Sequence, residues 1–424
     1  MPSTARGVAR STGWIVLDRA TATVCGFLSL AITARTLGAE GLGRLAVAQT
    51  FVPLFLFLAD WGVGTALSAE LSRKQERPGH LLGTAMLVRV PMAATAWLAC
   101  MLGAWTAGYR GERLEEILIF SLILWLPIAD APSTIFPVAL RMRAPTLVSV
   151  GSSALQVGLL ALCGALHAGA RIFLAAVTAA SLVRSVGTAF VALRRADFPL
   201  GFDPRLARRL IRSGALLSAA AVFAVAVSSL PTLILERLHG TAEVGFYSVG
   251  TRVLVLFYAL PFALMTTVLP TMARELQTNL QNFEKIYRKT RDLLFWLAIT
   301  TGVAAMVLAR PAVELMFGSG FSRAVVPFTI LLWQPLLVCP WIVASNALIA
   351  QRREMTNFLL VAMTCGFTVL ACALMIPTWG AVGAAAASVL NFVPVAVISS
   401  RMLRRSRACR PVAGVEAQSV GMIP

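Results

Sequence analysis

Charged side chains inside apolar stretches are the residues most able to do chemistry in this chain. Seven of them stand within or at the ends of long apolar runs: Arg19, Arg89, Arg184, Arg252, Asp18, Asp60 and Asp130. The alternative for Arg19 is that its long side chain extends to the inner surface of the membrane. A charge at the centre of a bilayer costs at least about 2.5–3.5 kcal/mol, so such residues usually face an interior cavity or pair with one another. The guanidinium group of arginine also forms bidentate hydrogen bonds with phosphate oxygens. Arg89, Arg184 and Arg252 therefore predict a lumen that binds an anionic head group.

The three aspartates have a different potential role. Each is a candidate for coupling to H⁺ or Na⁺, and Asp130 can also serve as an ion-pair partner for the arginines. For Asp18 and Asp60 the alternative is a structural role as caps at helix ends.

Neutral polar groups at comparable depth extend the candidate site. Gln49, Gln156, Gln334 and Asn391 stand in apolar runs. Their amides are suited to hydrogen bonds with sugar hydroxyls, and the alternative is hydrogen bonding between neighbouring helices. We predict that Gln156, Gln334 and Asn391 line the same lumen as Arg89, Arg184 and Arg252.

The sequence contains no motif for a reaction. It lacks a glycine-rich phosphate loop ending in Lys-Ser or Lys-Thr, a nucleophile elbow and a zinc-type helix signature. We therefore expect no enzyme, no catalytic residue, no metal site and no cofactor beyond a coupling ion. Energy would come from an ion gradient, the membrane potential or the flow of substrate.

Composition and run length predict the elements that position these residues. The chain is 58% hydrophobic and 13% charged, which indicates that lipid is its solvent. About 20 apolar residues in a helix cross a bilayer. The sequence contains twelve such windows and therefore predicts an all-α polytopic membrane protein. The windows are 12–34, 44–66, 81–106, 115–140, 145–167, 171–193, 212–235, 244–270, 292–313, 324–350, 355–377 and 379–400.

The positions of the 37 lysines and arginines predict the orientation. The net charge of +18 would suit a nucleic-acid binder, but 25 of the cations fall in segments on one side of the predicted membrane. Only eight fall on the other side: Arg35, Arg44, Arg110, Arg113, Arg171, Arg237, Arg310 and Arg323. By the positive-inside rule both termini are cytoplasmic, and no nucleic-acid partner is expected.

An internal repeat divides the chain into halves. When the sequence is aligned with itself at a shift of 202 residues, four identical residues coincide. They are Arg35 with Arg237, Gly38 with Gly240, Gly43 with Gly245, and Val47 with Val249. A shift of 208 superimposes Pro127 and Pro132 on Pro335 and Pro340, which predicts kinks at equivalent depth. We predict two six-helix bundles of like orientation, 1–205 and 206–410, and a cytoplasmic tail, 411–424.

One cytoplasmic segment, 274–291, has an amphipathic pattern. Leu276, Leu280, Phe283 and Tyr287 recur at helical spacing among basic residues. The pattern is typical of a helix lying on an anionic leaflet, and the alternative is a solvated linker helix.

Several stretches resemble a known family. They are the sequence RTLGAEGLGRLAVAQTF from Arg35 to Phe51, the segment Asp60 to Ala66, the segment Glu243 to Val249, and Pro270. These resemble the polysaccharide transporter family, which includes the Wzx-type O-antigen flippases. That family belongs to the superfamily of multidrug and toxin extruders and lipid II flippases.

The resemblance implies a V of two six-helix bundles around a cationic lumen in a bacterial inner membrane. The implied cargo is an undecaprenyl-pyrophosphate-linked oligosaccharide, with membrane lipids around it and glycosyltransferases and a polysaccharide polymerase as functional partners. The alternatives within the superfamily are a cation-coupled multidrug extruder, which should have fewer lumen arginines, and a lipid II-type flippase, which usually has two further C-terminal helices.

Two other classes are less compatible with the sequence. A membrane glycosyltransferase or ligase needs a sizeable outer loop with catalytic residues, and the predicted outer loops are short. A scaffold without transport activity would gain little from burying arginines.

Overall fold

A computed structural model describes residues 2–73, 78–138, 142–194, 201–351 and 354–398, and within these ranges the regular structure is entirely helical. The α-helices are α1 Pro2–Phe51, α2 Leu56–Asp60, α3 Val63–Arg73, α4 Pro78–Thr106, α5 Glu112–Ser121, α6 Leu126–Asp130, α7 Ile135–Val138, α8 Arg143–Ala165, α9 Ala170–Arg194, α10 Pro204–His239, α11 Thr241–Thr278, α12 Leu280–Phe317, α13 Val325–Leu331, α14 Pro335–Ala350 and α15 Glu354–Leu390. Short 3₁₀ turns join several of them.

The described helices are long and apolar enough for a polytopic membrane protein. Nine stretches qualify as single spans, and Ser319–Leu331 with Pro335–Leu348 forms a bent tenth. Two of the nine, Gly13–Asp60 and Met355–Ile398, have 48 and 44 residues and are interrupted by glycines with positive φ, Gly38 and Gly380. Each is about twice the length needed to cross a bilayer. Counting both as two spans gives the twelve that the sequence predicts.

The backbone preserves the predicted repeat. Gly38 has φ 66° and ψ −170°, and Gly240, which is 202 residues later, has φ 82° and ψ 179°. This conformation is open to glycine and strained for other residues, so it explains why both halves have glycine here. Each glycine separates one helical span from the next at the same point of its half.

The helix is interrupted near three of the four prolines that predict kinks, Pro127, Pro132 and Pro335, whereas Pro340 lies inside α14. Residues 112–138 alternate between α-helix and 3₁₀ turns at Leu122–Trp125 and Ala131–Thr134. The equivalent stretch of the second half bends by 43° between Leu331 and Pro335. Proline removes a backbone donor from the helix, which accounts for the break.

The prediction of a surface helix over 274–291 is wrong in its boundaries and in its contacts. Asn279 interrupts the segment and caps α12, accepting a hydrogen bond from the backbone N–H of Asn282 at 3.1 Å. Phe283 and Tyr287 are buried, in one core cluster with Met272 and Leu294. Helix α12 therefore passes without a break from this segment into its membrane span.

The start of α10 packs on the first half of the chain. Leu206, Ala207 and Leu210 are buried in a cluster with Val63 and Leu81. A boundary between bundles at 205/206 remains a prediction, and the tail 411–424 lies outside the described residues.

Candidate functional site

Five of the predicted charged residues lie together in one cavity of about 720 Å³ within the first half of the chain. We call it the first-half cavity, and its charged lining residues are Asp18, Asp60, Arg89, Asp130 and Arg184. Serines and threonines of α3, α8, α9 and the 3₁₀ turn Ala131–Thr134 also line it. The formal charges of the five sum to minus one, so this cavity does not have the excess of positive charge that suits a polyanion.

Arg89 is fixed by two partners. Its side chain is 3% exposed and forms an ion pair with Asp60. It also donates to the backbone carbonyl of Pro127 at 2.8 Å. That carbonyl lacks the usual helical donor, because the N–H of Ala131 bonds to Ile128 instead. Arg89 thus supplies the hydrogen-bond donor that the Pro127 carbonyl lacks, and the ion pair with Asp60 neutralises the buried charge of Arg89.

The other two aspartates differ in how well they are satisfied. Asp130 accepts a hydrogen bond from the hydroxyl of Ser185 at 2.6 Å. One carboxylate oxygen of Asp18 is buried without a hydrogen-bond partner among the described residues. A buried acceptor without a partner is costly, so Asp18 is the carboxylate with most to gain from a proton or a cation.

Arg252 lies in a different cavity, of about 540 Å³, which we call the central cavity. Helices α1, α8 and α9 of the first half and α10 and α11 of the second half line it. Arg252 donates to the side-chain oxygen of Gln49 at 2.5 Å, and Gln156 also lines the wall. Among the described residues that line this cavity, Arg252 is the only ionisable one.

Most of the polar wall of the central cavity was not predicted from the sequence. Small hydroxyl side chains provide it, from both halves of the chain: Ser29, Thr33, Thr50, Ser228, Ser229, Thr232, Ser248 and Thr251. Their signal was present as serines and threonines spaced three or four residues apart within apolar runs. Many such hydroxyls elsewhere bond only to their own helix, so spacing alone does not distinguish them.

Gln334 and Asn391 line neither cavity. Gln334 stands at the 43° bend, where it accepts from the hydroxyl of Tyr258 at 3.1 Å and donates to the carbonyl of Ser388 at 2.6 Å. Asn391 is 2% exposed and donates to Thr368 at 2.8 Å. Both amides join helices of the second half, and their contact with sugar stays a prediction.

At the predicted outer end of the bundle, all eight arginines have partners. Five pair with carboxylates at 2.5–2.9 Å: Arg44, Arg113, Arg171, Arg310 and Arg323. The other three donate to carbonyls near the C-terminal ends of helices: Arg35, Arg110 and Arg237. Charge at this end is therefore largely neutralised within the protein.

Several of these contacts join the two halves. Glu236 of α10 is 2% exposed and accepts from Arg113 at 2.7 Å and from the hydroxyl of Tyr109 at 2.8 Å. Arg237 donates to the carbonyl of Ala107, and Arg35 donates to that of Met316 at 3.0 Å. Burial raises the pKa of Tyr109, and the hydrogen bond to Glu236 raises it further. We call the contacts of Glu236, Arg35 and Arg237 the outer closure.

The fold and its cavities define the class: a polytopic all-α membrane protein with a cavity whose lining residues come from both the N-terminal and the C-terminal part of the chain. The chain belongs to the polysaccharide biosynthesis protein family, whose model matches residues 8–275. This confirms the family resemblance found in the sequence.

A curated relative is the succinoglycan biosynthesis transport protein ExoT of Rhizobium meliloti (strain 1021). It is 25% identical over 337 residues, which is 76% of this chain. The match spans 64% of the length of that relative.

Solved structures share the fold at low identity. The lipid II flippase MurJ in an inward closed conformation has a TM-score of 0.69 at 13% identity, over 96% of this chain and 88% of that one. An inward-facing multidrug resistance MATE family transporter of the MOP superfamily has a TM-score of 0.68 at 13% identity, over 92% and 94% of the two chains. Both likenesses establish the fold alone.

Proposed function

We propose that this protein is a flippase and not an enzyme, and that it moves an undecaprenyl-pyrophosphate-linked oligosaccharide from the cytoplasmic to the periplasmic leaflet. The observation that carries the proposal is the central cavity. It is lined from both halves by hydroxyls, by the amides of Gln49 and Gln156, and by Arg252. This lining suits a head group with many hydroxyls and an anionic linkage.

The physical problem is the polarity of the cargo. A charged, hydroxyl-rich head group is strongly excluded from hydrocarbon, while its polyprenyl tail is not. A polar cavity between two bundles solvates the head as the tail stays in lipid. The membership of the polysaccharide biosynthesis protein family and the likeness to ExoT support a sugar cargo.

The outer closure supports alternating access as the mechanism. Its contacts between halves are ion pairs and hydrogen bonds, which water can replace when the halves separate. The cargo head group would enter from the cytoplasmic side while the outer closure is formed, and leave after it opens. The bends near Pro127 and Pro335 give each half a point at which to flex.

The first-half cavity would supply coupling to H⁺ or Na⁺. Asp18 has a buried oxygen without a hydrogen-bond partner among the described residues, so it is the carboxylate best placed to gain a proton or cation. Asp60 and Asp130 lie in the same cavity. The Asp18→Asn change should weaken the dependence of transport on the ion gradient. Unchanged gradient dependence in a fully active Asp18→Asn protein would exclude this role.

Deletion of the gene tests the function directly. We expect lipid-linked oligosaccharide to accumulate on the cytoplasmic leaflet and the matching surface polysaccharide to disappear, with both restored by the wild-type gene. Normal surface polysaccharide together with new sensitivity to cationic drugs would favour a multidrug extruder. Accumulation of lipid II would favour a lipid II-type flippase.

A further inference from the structure

The first turns of α10 carry a stripe of four arginines: Arg205, Arg208, Arg209 and Arg212. These positions follow the spacing i, i+3, i+4 and i+7, which places them on one face of a helix. All four side chains are exposed. We call this surface the arginine face.

The helix is held firmly behind that face. Asp203 caps it by accepting from the backbone N–H of Arg205 at 2.8 Å, and Pro204 follows at its first position. On the opposite side Leu206 and Leu210 are buried against the first half of the chain. The backbone N–H of Asp203 also donates to the hydroxyl of Thr84 at 3.0 Å.

The arginine face differs from the predicted outer end in its partners. At the outer end all eight arginines bond to carboxylates or helix carbonyls. Among the described residues, none of the ion pairs involves Arg205, Arg208 or Arg212. Among the described residues, the charges of Arg205, Arg208 and Arg212 are thus not compensated by a carboxylate.

The length of α10 sets where the arginine face lies. The helix has 36 residues, and roughly 20 suffice to cross the hydrocarbon. Its span approaches the outer closure at Glu236, so the first turns emerge at the predicted cytoplasmic surface. Two apolar side chains flank the arginines there, Phe202 at 52% exposed and Ile211 at 37%. Aromatic and apolar side chains beside cations are typical of the boundary between lipid head groups and acyl chains.

We propose that the arginine face binds the head groups of anionic phospholipids in the cytoplasmic leaflet. Guanidinium groups fork onto phosphodiester oxygens, and a basic segment next to a membrane span is attracted to an anionic surface. The occupant is a bulk lipid of the bilayer and not the transported cargo, so the proposal is independent of the transport function.

The test uses the full-length protein in zwitterionic detergent–phosphatidylcholine micelles titrated with phosphatidylglycerol. Bound phosphatidylglycerol is counted by native mass spectrometry, and the shift in melting temperature is followed in parallel. For the R205Q/R208Q/R212Q variant we expect an apparent affinity weaker by roughly tenfold or more. The R205K/R208K/R212K variant, which keeps the charge, should retain most of the binding and shows that the site tolerates substitution.

A matched control removes three cations elsewhere on the same predicted side. Arg274, Lys285 and Lys289 are exposed and lie outside the arginine face. The R274Q/K285Q/K289Q variant should lose clearly less phosphatidylglycerol binding. An equal loss in both variants would overturn the proposal in favour of net charge alone. Stabilisation by soluble pyrophosphate through the same three arginines would also overturn it, because it would indicate a site for the cargo head group.

Discussion

Gly43 and Gly245 make the same close backbone contact in opposite directions across the two halves. A β-carbon on Gly43 would overlap the carbonyl oxygen of Thr241, and one on Gly245 would overlap that of Ala39. Thr241 stands 202 residues after Ala39, as Gly245 does after Gly43. The repeat therefore forms a pseudo-twofold contact between α1 and α11 beside the outer closure, where only glycine allows the two backbones to approach.

Adding a methyl group at this contact should loosen the outer closure. We expect Gly43→Ala and Gly245→Ala each to cost about 1–3 kcal/mol of stability, because backbone atoms have to move apart. In the same variants, a cysteine replacing Thr33 in the central cavity should react faster with an impermeant thiol reagent added from outside. Gly158→Ala is the control, since a β-carbon there meets no atom within 4 Å. Equal labelling in all three glycine variants would show that the contact between Gly43 and Gly245 does not hold the outer closure together.

Tyr109 makes the outer closure sensitive to alkaline pH. The pKa of Tyr109 is raised above its ordinary value of 10.0, mainly because the side chain is buried and secondly because its hydroxyl donates a hydrogen bond to Glu236. A group whose pKa is raised by folding stabilises the folded state below its ordinary pKa, and this stabilisation is lost as the pH rises above it. We expect the melting temperature to fall above about pH 10, and to fall less in Tyr109→Phe. An identical alkaline loss in both proteins would show that other groups cause it.

Arg89 should be essential for stability. Arg89→Ala leaves Asp60 without its ion-pair partner and the Pro127 carbonyl without a donor, which we expect to cost about 3–5 kcal/mol. Adding Asp60→Asn should recover part of this loss. Arg310→Ala is the control, because that side chain is 78% exposed and its ion pair contributes at most about 1 kcal/mol. A melting temperature for Arg89→Ala equal to that of the control would show that the pair is not structural.

Arg252 should be essential for transport more than for stability. Arg252→Ala removes the positive charge of the central cavity, so we expect transport of lipid-linked oligosaccharide to fall at least about tenfold. Arg252→Lys should retain an intermediate rate if charge is what matters. Equal loss in both variants would instead indicate forked contact with phosphate. Arg184→Ala serves as the comparison from the first-half cavity, and the expected loss there is smaller.

Reporter fusions test the orientation. A phosphatase fused after Arg407 should be inactive, because twelve spans return the chain to the cytoplasm. A fusion within 107–111, between α4 and α5, should be active in the periplasm. An active fusion after Arg407 would require an odd number of spans.

The sequence by itself determined the spans, the predicted sidedness of the charges and the repeat. These follow from local properties: the length of an apolar run, the positions of Lys and Arg in loops, and glycines required by a positive φ. The equivalence of Gly38 and Gly240 was visible as a spacing of 202 residues, and the structure gives both the same backbone conformation.

Only the tertiary structure decided which charged side chains share a cavity. In the sequence Arg89, Arg184 and Arg252 look equivalent, yet the first two face three aspartates and the third faces hydroxyls and amides. The direction of a side chain depends on the rotation of its helix and on bends such as those near Pro127 and Pro335, and its neighbours come from distant parts of the chain. Burial depth follows from a run of apolar residues, whereas the partner of a buried charge follows from helix packing.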